Sequence, residues 1–326
     1  MKAITFNPEN DKFSLKEVPV PKPINNQILV KVEAAGLNPV DSKIIYWKKM
    51  VNNMSQDWIP GLDVSGYVEA IGESVKNFKA GDRVLYHGDM FKRFGGFAQY
   101  ALQNADTVIK HPELDAVRAA ATPCAGWTAW RALVDKLRIT SEDTIFIAGG
   151  AGGVGSFAIQ IAKYFKLGKI ITTCSAQKTQ YVRDLGATHI IDYKNSDVVE
   201  EVLKITAGEG VTKGLDAVGR DNDILVADSL SYEGEMVELV DFCRPESYKN
   251  SFMSGLTFHQ LSLGSGHRNG KKAEETLKKA GERFSGLVED GAISVSVTKV
   301  ISFTEVPDAL TEMLLKKSTG KIVLKI

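Results

Sequence analysis

Gly150, Gly152 and Gly155, with Gly153 and Val154 between them, stand in a G-x-G-x-x-G spacing directly after the apolar run Ile145-Phe146-Ile147. Ile159 and Ala162 follow on one helical face, so the text over 145–162 reads as strand, tight turn and helix. Residues without a Cβ can take positive φ and let a ligand approach the backbone. The amide groups and positive end of the helix that follows then face that ligand, which suits a pyrophosphate. Without a ligand the same text is a close-packed strand-to-helix turn. The stretch has 18 residues and no charge, but its five glycines and polar flanks argue against a membrane span.

The elements that must position this turn alternate along the middle of the chain. Strands are expected at 144–147, 169–174, 189–192, 214–217 and 234–239, with helices running to 165 and over 177–185, 198–207 and 222–230 between them. Repeating β-α-β units imply a doubly wound parallel sheet whose ligand lies at the carboxyl ends of its strands. Before it, residues 2–6, 13–18, 28–34, 66–71 and 83–86 read as short strands separated by turns, 95–100 as a further strand, and 116–121 and 127–136 as helices. Together the short strands suggest a small barrel. After it come an amphipathic helix at 271–289, a strand at 294–301, a helix at 306–316 and a closing strand at 321–326. These do not extend the parallel sheet and are expected to return to the first domain, leaving a cleft between two lobes.

Composition bounds the rest. In 326 residues, 40 Lys and Arg balance 40 Asp and Glu, so no global field recruits nucleic acid or an acidic membrane surface. Cys124, Cys174 and Cys243 form no C-x-x-C pair and suit a reducing compartment, with the cytoplasm the simplest location. The N-terminal text has no apolar secretion segment. His87, His111, His189, His259 and His267 show no ligand spacing, and none is given a catalytic role.

Ala35-Gly-Leu-Asn-Pro-Val-Asp41, Pro60-Gly-Leu-Asp-Val-Ser-Gly66, Gly81-Asp-Arg-Val84, Gly95-Gly-Phe-Ala-Gln-Tyr100, Ala125-Gly-Trp-Thr-Ala129, the glycine turn, Leu185-Gly-Ala187 and Gly320-Lys-Ile-Val-Leu324 occur in that order. In this ordered set the chain resembles the medium-chain dehydrogenase/reductase superfamily, most closely its zinc-independent quinone-oxidoreductase and enone-reductase branch. The resemblance implies an α/β protein with a GroES-like β-barrel catalytic domain at 1–121 and 266–326, and a Rossmann NADP-binding domain at 122–265. It also implies a homodimer acting on a small-molecule quinone, enone or other activated carbonyl.

In zinc-using relatives the catalytic metal is held where this chain has Asn38, Leu62 and Cys124. Only the cysteine can ligate well, so no catalytic zinc is expected. At the end of the second nucleotide-domain strand, Ile171-Thr-Thr-Cys-Ser-Ala-Gln-Lys178 carries no acid to accept from a ribose hydroxyl. The resemblance matches Ser175, Lys178 and Tyr193 to residues that hold a 2′-phosphate, which favours NADPH. Thr128 matches a threonine near the nicotinamide. Asn38 is the expected donor to the oxygen on which charge develops during hydride transfer, with Tyr46 a second donor. Asp41 is expected to hold the Asn38 turn, and Asp63 to play a structural part with Arg83. The loop 48–56, bracketed by Trp47 and Trp58, is expected to shape the substrate pocket. Two alternatives stay open: an alcohol dehydrogenase or aldehyde reductase of the same superfamily, and a non-catalytic NADPH-binding sensor or structural protein.

Overall fold

The computed structural model describes residues 1–315 and 320–326, and its chain divides into two compact units. One comprises Met1–Trp127 with Leu263–Ile326, the other Thr128–Ser262. Lys316, the expected end of the last helix, lies outside the described residues.

The first unit begins with a hairpin, β1 (Lys2–Asn7) and β2 (Lys12–Glu17), and continues through β3 (Gln27–Leu37), β4 (Asp63–Ile71), β5 (Arg83–His87), β6 (Tyr100–Asn104) and β7 (Ile109–Lys110). The second unit holds β8 (Thr144–Ala148), β9 (Lys169–Cys174), β10 (His189–Asp192), β11 (Val211–Asp216), β12 (Leu230–Glu238) and β13 (Thr257–Gln260). The chain then supplies β14 (Val297–Ile301) and β15 (Lys321–Lys325) to the first unit.

In the first unit the strand order is β14-β15-β3-β4-β5-β7, with β6 also paired to β3. The pairs are antiparallel except β14 with β15. Strand β3 is the spine, and its period-2 alternation sends Ile28, Val30 and Val32 into the same core as Val64, Val68, Val84 and Leu324. The helix Ala116–Ala120 covers the middle of this sheet, where Ala34, Ala120, Ala121 and Val323 form a cluster of small buried residues. The helix Lys271–Glu289 buries Leu277, Ala280, Phe284 and Leu287, the 3.6-residue stripe visible in its sequence.

The second unit is a parallel sheet of order β10-β9-β8-β11-β12-β13. The chain leaves β8 toward β9 and β10, then returns to β11 on the other side, so the topology switches at β8. Its helices include Gly153–Tyr164, Thr179–Leu185 and Val198–Ile205. The helix expected over 222–230 stops at Ala227, and Leu230 already belongs to β12. Strand β13 was not expected from the sequence, because four residues between irregular segments give no periodic signal. Among the described residues no helix is long and apolar enough to cross a membrane.

Candidate active site and nucleotide-binding turn

In the second unit, the glycine turn lies at the carboxyl end of β8. The Gly149 amide donates to Thr173 Oγ1 (3.0 Å) and the Gly150 amide to Thr173 O (3.1 Å), so β9 holds the turn open-ended. A Cβ on Gly150 would meet Thr172 Oγ1 at 2.1 Å, and one on Gly155 would meet Gly149 O at 2.2 Å. Both glycines serve close packing. At Gly152, the cap of the helix Gly153–Tyr164, the only heavy atom within 4 Å of such a Cβ is Gly149 O at 3.3 Å. The backbone is therefore open at Gly152, where the first amides of the helix, including those of Gly153 and Val154, are accessible to an anionic ligand.

Cys174 and Asp192 are register partners at the ends of β9 and β10, so the residues that follow them, Ser175 and Tyr193, leave the same edge of the sheet. Lys178 ends the short helical turn Ala176–Lys178 beside them, half-buried, and Tyr193 is 53% exposed. The Asp192 carboxylate is engaged within its own turn, by Lys194 N (3.2 Å) and Asn195 Nδ2 (2.7 Å). Thr128 is buried in the short helix Thr128–Trp130.

Two neighbouring strands of this sheet end in carboxylates. Asp216 Oδ1 accepts from the amides of Val218 (2.7 Å) and Gly219 (3.0 Å), and Glu238 Oε1 from those of Val240 (2.6 Å) and Asp241 (2.7 Å). Asp216 and Glu238 are register partners, and both are fully buried. Their remaining oxygens, Oδ2 and Oε2, are buried without a hydrogen-bond partner. Burial, followed by the Asp216 carboxylate beside it, pushes the Glu238 carboxyl up to about 8.

The first unit gathers a second cluster, and the sheet register explains it. The pairs Gly36↔Asp63, Asp63↔His87 and Ile322↔Leu37 bring the end of β3, the start of β4, the end of β5 and the start of β15 to one edge. Lys321, Asn38, Asp63 and His87 are delivered there in that order across the sheet. Lys321 Nζ donates to Asn38 Oδ1 (2.6 Å) and lies 3.5 Å from both Leu37 O and Asp63 Oδ2. Asn38 Nδ2 donates to Asp63 Oδ2 (2.8 Å) and reaches Gly36 O (3.4 Å). Asp63 Oδ1 accepts from the Cys124 amide (2.8 Å), and Asp41 Oδ2 from the Asn38 amide (2.8 Å). Burial raises Asp41 to about 8, helped by the nearby charge of Asp63; burial also raises Asp63, to about 6, against the pull of Lys321. At neutral pH Asp63 is thus the ionised partner of the Lys321 ammonium, and Asp41 is largely neutral. Burial pushes the Cys124 thiol well up, and it holds His87 well below the usual histidine range, so His87 is neutral.

Several expected residues stand differently from the sequence analysis. Asn38 was expected to donate to a substrate oxygen; here both amide hydrogens already face acceptors. Tyr46 is 67% exposed on the short helix Ile44–Trp47. Asp63 does not pair with Arg83, which reaches Glu33 (3.3 Å) and Leu114 O (3.0 Å) instead. Trp47 and Trp58 are buried with Phe6 and Ile44, and so anchor both ends of the loop 48–56. Lys321 was missed as a member of the cluster. The Tyr86 hydroxyl is buried without a hydrogen-bond partner, in a recess it lines with Asp41, Trp47 and Leu62. Asp63, His87 and Cys124 each place one ligand-capable atom within 4.8 Å of the others. No spacing signal could have found that trio, since 24 and 37 positions separate its members.

Comparison with known proteins agrees with this architecture. Residues 24–113 match the alcohol dehydrogenase GroES-like domain, and 153–284 the zinc-binding dehydrogenase domain. A chloroplast envelope quinone oxidoreductase homolog of Arabidopsis thaliana is 30% identical over 95% of this chain and 92% of its own. The 2-methylene-furan-3-one reductase of Solanum lycopersicum is 31% identical over 94% of this chain and 74% of its own. The crystal structure of Escherichia coli quinone oxidoreductase complexed with NADPH superposes with a TM-score of 0.86 at 27% identity, covering 100% of both chains. A GroES-like domain joined to a Rossmann-type sheet defines the medium-chain dehydrogenase/reductase architecture. The chain belongs to that superfamily, in its quinone-oxidoreductase branch.

The raised Glu238 carboxyl gives stability a definite pH dependence. The folded state keeps a proton on Glu238 up to about 8, whereas the unfolded chain releases it near 4.5, so this contribution is full below 4.5 and is lost as pH rises through 8. Asp41 acts in the same direction. Urea midpoints measured from pH 5 to 9 are expected to fall with pH in the native protein and to fall less steeply in Glu238→Gln. An unchanged slope in that variant would contradict a raised Glu238 carboxyl.

Proposed function

We propose that the protein is an NADPH-dependent, zinc-independent oxidoreductase that delivers hydride to a quinone, enone or other activated carbonyl. The observation that carries this most directly is the turn at Gly150–Gly155, with open backbone at Gly152 and no acidic side chain at the end of β9. When bound, NADPH supplies the hydride. The chain's own residues bind and orient. The amides of Gly152, Gly153 and Val154 would receive the pyrophosphate, Ser175, Lys178 and Tyr193 would hold the 2′-phosphate, and Thr128 would contact the nicotinamide. Asn38 anchors the polar floor built with Lys321 and Asp63. The tyrosines Tyr46 and Tyr86 offer hydroxyls free to donate to the oxygen on which enolate charge develops. The E. coli relative's complex with NADPH supports the cofactor. The tomato relative's named substrate, an exocyclic methylene conjugated to a ketone, supports the enone class.

The domain-bearing metal of zinc-using relatives finds no fit here. Leu62 cannot coordinate, Asn38 is committed to Lys321 and Asp63, and both oxygens of Asp63 are engaged. We infer a homodimer as well: Tyr232, Phe252 and Met253 are 73, 92 and 76% exposed, and β13 is an open sheet edge beside them. Its three free cysteines fit a cytoplasmic setting.

NADPH oxidation should proceed with quinones or enones in a panel that also holds aldehydes and alcohols, and a strong chelator should leave the rate unchanged. Tight NADPH binding without turnover on any acceptor would leave a sensor or structural role; loss of rate with chelator would restore a metal. Lys178→Ala should weaken NADPH binding by roughly tenfold or more while barely changing NADH, as measured by fluorescence titration. Equal losses would count against a 2′-phosphate site. Sedimentation should report a two-chain mass that Phe252→Glu with Met253→Glu reduces to one chain; a native monomer would remove the dimer.

A further inference from the structure

Asp63, His87 and Cys124 present a carboxylate, an imidazole and a thiol, the donor set of a three-ligand zinc site, from three different segments of the first unit. Zinc bonds of about 2.0–2.3 Å place tetrahedral ligand atoms about 3.3–3.8 Å apart. The observed spread, within 4.8 Å, requires a closing movement of about 1.5 Å at most. His87 also has an outer partner of the kind that orients a ligating ring: its Nδ1 lies 3.4 Å from His267 Nε2, and the two rings stack at 5.7 Å. What stands against a metal is a second cation. The Lys321 ammonium, 5% exposed, is fixed by Asn38 Oδ1 and lies 3.5 Å from Asp63 Oδ2.

We propose that Lys321 holds a latent divalent-metal site closed, its ammonium supplying within the Asp63, His87 and Cys124 cluster the positive charge that a zinc ion would otherwise bring. A dication entering beside a fixed, buried like charge meets strong repulsion in a medium that screens poorly. With the lysine neutralised, Asp63 loses its counter-charge and its Oδ2 is freed in part for a metal. The surviving cysteine of the family's zinc site, Cys124, would then be completed by Asp63 and His87. This proposal rests on the metal-free chemistry put forward above.

Cobalt(II) reports such a site by its visible absorption, because a tetrahedral ion bound to thiolate gives both ligand-field bands and a sulfur-to-metal charge-transfer band. Purified native protein titrated with cobalt(II) is expected to show neither. Lys321→Met, which keeps the length of the side chain without its charge, and Lys321→Ala are expected to show both at one ion per chain, with affinity raised roughly 100-fold or more. Adding Cys124→Ser to either variant should abolish the charge-transfer band. Should the neutral variants be too unstable to titrate, zinc is expected to raise their melting temperature and not that of the native protein. A Cys124-dependent band in the native protein overturns the proposal, as do neutral variants that neither bind cobalt nor gain stability from zinc. Loss of native activity with chelator would instead remove the metal-free chemistry, so the two failures are separable.

Discussion

The buried Lys321 ammonium holds the first unit's polar interior together. Lys321 is surrounded by Asn38, Leu37 O and Asp63, and without it Asp63 would be a buried carboxylate with no counter-charge. Breaking a buried ion pair by removing one partner typically costs about 3–5 kcal/mol, because the other charge stays behind. The remaining contacts follow from this pairing. Asp63 with its charge satisfied can receive the Cys124 amide, and Asn38 fixed by Lys321 can present its own amide to Asp41. The cluster is close to charge balance at neutral pH, since Asp41 lies near 8 and Asp63 near 6.

The same physical problem is solved differently in the second unit. There, burial beside Asp216 raises the Glu238 carboxyl to about 8, so that it stays largely neutral, while one oxygen of each residue ties down a successive loop. Both loops leave the carboxyl edge of the parallel sheet, the edge that carries the glycine turn. Rigid loop ends at such an edge preorganise a binding surface, so ligand affinity is not spent on ordering them.

Features whose signal is local were legible in the sequence. The glycine turn, the alternation of β3 and the buried stripe of the helix Lys271–Glu289 each announce themselves within a few turns or one strand. The ordered motifs then carried the family. The composition of the buried cluster was not legible, because it is set by strand register. Asp63 and Arg83 look like a natural ion pair by charge, yet the ladder places Asp63 opposite His87 and Arg83 opposite Tyr67. Lys321 reads as one more lysine near a surface turn. Its burial follows only from the insertion of β15 beside β3, which no periodicity discloses. Asn38 shows the intermediate case: its position was legible and its hydrogen-bond commitments were not.

The insertion of β15 also bears on how the molecule is made. Lys321 meets Leu37 across 284 positions of chain, and the whole second unit, Thr128–Ser262, lies between them as one contiguous segment. That segment can close on its own contacts while the first unit still lacks an internal strand and its central charge. Contacts of such long separation form late, because the loop they close is costly in entropy. During synthesis the first unit therefore waits, with β3 presenting a bare edge and Asp63 uncompensated, until residues 321–325 arrive. The order of birth is the reverse of the order of completion: the domain begun first is the one finished last.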